Sequence, residues 1–214
     1  MTRRTGIKII IVFFLICAVF LTYFYSIVVP VIRSFCKTEV ESSIRNAINE
    51  SNESILKKAI AYDDIFTVVY SSDKEVVSVR ANMGLVNQIS MLWGTEIQNH
   101  INGKKEIVFE RPAGTFSGSV FLSQFGKNVS LRCTFVATSK TDYRSEFIRQ
   151  GVNQTLHRLY LEAQVEATLL SPYASDKLIV CDSFLFSESV INGKVPDTYI
   201  SSEKYDEYLD LLDR

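Results

Sequence analysis

Residues 151–167 read GVNQTLHRLYLEAQVEA, and the order of apolar and polar side chains in this stretch decides the fold class. One set, taken at every second position, collects Thr155, His157, Leu159, Leu161, Ala163, Val165 and Ala167 and continues to Leu169. The other collects Leu156, Arg158, Tyr160, Glu162, Gln164, Glu166 and Thr168. Successive strand side chains point to opposite faces, so this alternation predicts a strand with one dry and one wet face. His157 falls on the dry side near the strand's start, where the reading predicts a hydrogen bond to the backbone of an adjacent turn.

The residues just upstream carry the same signal. In NVSLRCTFVAT, residues 128–138, Val129, Leu131, Cys133, Phe135 and Ala137 alternate with Ser130, Arg132, Thr134 and Thr138. Glycines at 114, 118, 126 and 151 mark turns around these runs, and PAGTFSGS reads as a pair of turns between strands. Residues 112–200 are therefore expected to form a β-rich, mostly antiparallel region packed on a core.

Before residue 112 the pattern is mixed. Ile44, Ile48, Ile55 and Ala59, with Ala47 and Ser51 between them, make one helical face in residues 31–61, weakened by NESN and expected to kink near Asn52. IFTVVYSSDKEVVSVRAN reads as a hairpin turning at Ser71, Ser72 and Asp73. Leu85, Ile89, Leu92, Trp93 and Ile97 then give a second amphipathic helix, stopped by Asn102 and Gly103, before the strand KEIVFE. Residues 62–111 with the preceding helix thus follow the order helix, strand, strand, helix, strand. That order suits small α+β modules in which two helices cover one face of a three-stranded sheet. The fold class expected for the whole chain is α+β.

From Ile9 to Val29 the chain has no charged residue, glycine or proline. Twenty-one residues at about 1.5 Å each span the ~30 Å hydrocarbon core of a bilayer. Pro30 is expected to close the span and the juxtamembrane helix to begin behind it. Arg3, Arg4 and Lys8 precede the run against Arg33 and Lys37 after it, which favours residues 1–8 in the cytoplasm and the remainder outside. A cleaved signal peptide begins in the same way, but its apolar run is shorter and ends in small residues, whereas this one ends in YFYSIVVP. The acidic end, residues 201–214, reads as a short helix or a frayed tail.

Composition excludes some functions. With 23 basic against 24 acidic residues there is no surplus of positive charge for nucleic acid. The four cysteines form no CxxC pair, and neither His100 nor His157 has metal-ligand spacing, so no metal or cofactor is expected. Cys133 and Cys181 read equally as a disulfide or as two buried thiols. Asn52, Asn128 and Asn153 each begin an Asn-x-Ser/Thr sequon, as does Asn49, and such matches carry little weight in a chain so rich in these residues. A triad of Ser145 or Thr155 with His157 and Asp142 is conceivable, yet residues so close on one strand rarely converge. No catalytic residue is expected.

Five motifs recur in one order behind the single apolar segment: YDDI, NMGLVNQIS, PAGTFSGS, GVNQTLHRLYL and NGKVPDTYI. Together, over about Arg33 to Ile200, they resemble the sporulation protein YunB family of endospore-forming bacteria. The resemblance implies a single-pass sporulation protein without enzymatic activity, made in the mother cell and held in the membrane engulfing the forespore. Its expected role is interaction or scaffolding with other sporulation envelope proteins or with itself, in the space between the two membranes. Asn153, Gln154, Thr155 and His157, with Pro196, Asp197 and Tyr199, are the candidate interaction or structural motif. The alternatives are an envelope enzyme, such as a peptidoglycan hydrolase using His157 with Asp142 or Glu162, and a cell-wall-binding module.

Overall fold

The computed structural model describes residues 3–72, 76–150, 153–171 and 174–192. It is α+β, with a long N-terminal helix and antiparallel sheets. Helix α1 (Arg3–Tyr23) passes through a π turn (Phe24–Val28) into α2 (Val29–Leu56), so the helix is continuous where a stop at Pro30 was expected. Proline has no N–H to give to the preceding turn and its ring crowds that turn's carbonyl. Here the preceding turn is wound as a wider π turn, a common way for a helix to absorb such a residue without ending. From Ile7 to Ile27 every side chain except Cys17 and Phe24 is exposed, which suits lipid and not a protein core.

Compact packing divides the described residues into two units, each drawn from three separate stretches of chain. In the unit formed by 1–51, 95–140 and 163–182, Val40, Ile44, Ala47 and Ile48 of α2 are fully or almost fully buried. Ion pairs from Arg33 to Asp176 (3.1 Å) and from Arg45 to Asp182 (3.9 Å) lay this part of α2 along β6 (Ala174–Asn192). A disulfide ties Cys36 of α2 to Cys133 of β4 (Asn128–Gln150), with Cα atoms 5.9 Å apart. This corrects the sequence pairing: Cys133 is bonded to Cys36, while Cys181 is an exposed free thiol on β6.

The main sheet has the order β3-β4-β5-β6, with β3 at Glu106–Pro112 and β5 at Gln154–Ser171. β3 pairs antiparallel with β4, Glu106 opposite Thr134 and Pro112 opposite Asn128. Three residues or fewer separate β4 from β5 and β5 from β6, too few for a parallel crossover, so these neighbours also run antiparallel. The three-stranded sheet expected in the first half does not form, because β3 joins β4 and leaves the hairpin as a separate two-stranded sheet. Beyond the end of β3, the edge of β4 is occupied by a side chain of helix α4 (Met83–Gly103): Gln98 accepts the Ser139 N–H at 3.0 Å and donates to the Ala137 carbonyl at 3.1 Å. An amide that both donates and accepts in this way stands in for a neighbouring strand.

Among the described residues, the second unit is drawn from 52–94, 141–162 and 183–192. Its hairpin, β1 (Phe66–Tyr70) with β2 (Val76–Ala81), follows the short helix α3 (Tyr62–Ile65). Asn82 caps α4 by accepting the Leu85 N–H. The expected stripe on α4 holds at Ile89, Trp93 and Ile97, which are buried together with Val86 and Ile101, whereas Leu92 stays 39% exposed. α2 runs unbroken past Asn52 to Leu56. Asn52 instead accepts the indole N–H of buried Trp93 at 2.9 Å, and the chain leaves the helix at Ala59, which takes a left-handed φ of 49°.

Candidate functional site

His157 is fully buried, in agreement with the alternation of β5, but its partners are not backbone atoms. Tyr62 Oη lies 2.6 Å from Nδ1 and Ser145 Oγ lies 2.7 Å from Nε2. The Phe147 ring stacks on the imidazole at 4.1 Å, and Phe66 meets it edge-on at 4.4 Å. The expected turn-carbonyl bond is therefore replaced by two side-chain hydroxyls between two phenyl rings. Two local patterns build this cage. Tyr62 and Phe66 are one helical turn apart across α3 and the start of β1, and Ser145 and Phe147 share one side of β4 by strand alternation.

The electrostatics favour a neutral ring. Burial holds the His157 pKa below its ordinary value. Burial, then the nearby Asp63 and Tyr70, pushes the Tyr62 phenol up to about 12, so it keeps its proton. A phenol remains a better proton donor than an aliphatic hydroxyl. Tyr62 accordingly donates to Nδ1, leaving the Nε2 hydrogen to be donated to Ser145 Oγ.

The carboxylates weighed for an acid or base role have other partners. Asp142 accepts the N–H of Tyr143 at 2.9 Å, and Glu162 accepts Arg144 at 2.8 Å. Among the described residues no cluster of histidine, cysteine and carboxylate suits a metal ion.

Two clefts flank the histidine cage within this unit. One, of about 320 Å³, is lined by Phe147, Arg149, Asn153, Gln154 and Thr155 together with Val76, Val79 and Ile191. The other, of about 310 Å³, is lined by Tyr62, Asp63, Phe66 and Tyr70 with Val190 and Ile191. Asn153, Gln154 and Thr155 thus share a cleft, while His157 lies behind Phe147 as its support. Pro196, Asp197 and Tyr199 lie outside the described residues. Leu156, placed on the wet face by alternation, is also buried. Sequence reasoning missed Tyr62, Phe66, Phe147 and Arg149. The aromatic pair four residues apart beginning at YDDI was the one available signal for the first two.

Residues 108–198 match the family model described as sporulation protein YunB (Spo_YunB). That segment is similar to the sporulation protein YunB family. No curated protein and no solved structure matches the chain significantly. The YunB segment holds Ser145, Phe147, Arg149, the 153–155 turn and His157, whereas Tyr62 and Phe66, which complete the cage, precede it.

Proposed function

We propose that this chain is a membrane-anchored, non-enzymatic interaction protein of sporulation. Its folded part works outside the cytoplasm, between the mother-cell and forespore membranes, by contacting other envelope proteins or a second copy. The observation that carries this reading is the continuity of one helix: its first half is apolar and exposed on all sides, and its second half supplies buried core residues. A helix of this kind transmits position stiffly from a bilayer to a folded surface, as a scaffold requires. The Cys36–Cys133 disulfide supports the exocytoplasmic side, since such bonds persist in oxidising compartments. The cleft bearing Asn153, Gln154 and Thr155 is the contact surface we favour. A photocrosslinker placed at exposed Gln154 in sporulating cells is expected to give a discrete larger adduct. Recovery of monomer alone would overturn the reading.

A second reading, an envelope hydrolase, is favoured by one observation: Ser145 is exposed and its Oγ touches Nε2. Ser145→Ala separates the two. A nucleophile's loss abolishes sporulation at normal protein level, whereas the interaction reading expects sporulation to continue.

A further inference from the structure

Residues 113–126, AGTFSGSVFLSQFG, contain no charged side chain and lie between Arg111 and Lys127. After the 3₁₀ turn Ala113–Ser117, the segment leaves Val120 86%, Phe121 89%, Leu122 51% and Phe125 68% exposed. Four large apolar residues within six positions are an unusual thing to leave in water. Their attachment shows what covers them. Tyr23 donates its hydroxyl to the Ser117 carbonyl at 2.8 Å, and a Cβ on Gly118 would meet the Ile27 side chain at 2.7 Å. Phe116 also packs edge-on against Phe35 of α2. Tyr23 and Ile27 belong to the apolar run that ends at Val29, so the segment is pinned to the helix inside the length that a bilayer covers.

We propose that residues 118–126 form a second membrane contact, a wedge inserted into the outer leaflet beside the helix, with a lipid bilayer as its partner. This rests on the reading of Ile9–Val29 as a membrane span. Backbone entering lipid must satisfy its own polar groups, and part of this segment's polar groups are met by bonds within the segment. Phe125 N–H donates to the Leu122 carbonyl and Gly114 N–H to the Phe125 carbonyl, each at 2.9 Å. Thr115 and Ser123 hydroxyls donate to the Ser123 and Val120 carbonyls, each at 2.7 Å. Gly114 is required for this closure, because any Cβ there would fall on the carbonyl oxygens of Leu122 and Phe125. Arg33, Lys37 and Lys127, the charges next in sequence after the helix span and the wedge, suit the headgroup layer, as interfacial segments commonly show.

The test uses the full chain with Cys17 and Cys181 changed to serine, reconstituted in phosphatidylcholine and phosphatidylglycerol vesicles. A polarity-sensitive dye is attached at Phe121→Cys, at Leu15→Cys in the span, or at Ser130→Cys on exposed β4, and spin-labelled lipids serve as quenchers. The expected result is a blue-shifted, lipid-quenched dye at 121 and at 15, with the dye at 130 unshifted and unquenched. A dye at 121 that stays unquenched while that at 15 is quenched overturns the wedge and leaves the anchor standing. Quenching at neither 121 nor 15 overturns both. Equal quenching at 121 and 130 overturns the wedge in favour of the whole surface lying on the bilayer. Phe121 makes so little contact with the rest of the chain that the substitution is expected to fold, and Val120→Cys must give the same result.

Discussion

At the scale of single residues, the cage around His157 sets two unequal hydrogen bonds against each other. The Tyr62 bond is buried on the ring side, whereas Ser145 is open to solvent, so water takes the serine's place when its hydroxyl is removed. Tyr62→Phe is expected to cost about 1–3 kcal/mol by leaving Nδ1 without a donor, and Ser145→Ala less than about 1 kcal/mol. Urea unfolding of the detergent-solubilised chain measures both. Protonation adds a pH dependence of fixed sign. Burial lowers the folded pKa of His157, so the unfolded chain takes up a proton first as pH falls. The stability owed to the neutral ring is complete above roughly pH 6.5 and declines as pH drops from there towards the lower folded value. His157→Gln is expected to flatten that part of the pH profile, and a profile unchanged by the substitution would contradict the account. The inward direction of His157 was legible because strand alternation is a local rule. Its partners were not, because Tyr62 is 95 residues away and no periodicity links the two.

At the scale of elements, what the sequence showed best was which face of each element is buried, and what it hid was which element that face meets. Ile44, Ala47, Ile48, Ser51 and Ile55 are all buried as their spacing requires. The assignment of β3 to the hairpin failed because the two candidate partners of a short strand are indistinguishable by pattern, and pairing is decided by cross-strand neighbours. Pro30 misled for a related reason. Its effect on a helix depends on the turn before it, and a π turn leaves no mark in composition. The disulfide is the strongest link between elements that the sequence left open. It closes a loop across 97 residues, so Cys133→Ser is expected to destabilise by about 2–5 kcal/mol. Cys181→Ser, at an exposed free thiol, is expected to change stability little. Equal effects of the two serines in denaturant titrations would argue that Cys36 and Cys133 are not joined.

At the scale of the whole molecule, the same cysteines test the proposed membrane orientation of the folded part. Three basic residues before the apolar run against two after it is a slight bias, and charge counting alone does not separate the orientations sharply. The thiols separate them better, because a cytoplasmic domain would keep Cys36 and Cys133 reduced. In vegetative protoplasts expressing the full chain, a membrane-impermeant maleimide is expected to modify Cys181 without lysis, since that thiol is exposed on β6. Cys36 and Cys133 should gain the label only after a reductant is added, and Cys17, within the span, should resist it in both conditions. Modification of Cys181 only after lysis, with Cys36 and Cys133 reactive at once, would reverse the orientation. An interaction role between two membranes would then be untenable, because the cleft of Asn153, Gln154 and Thr155 would face the cytoplasm.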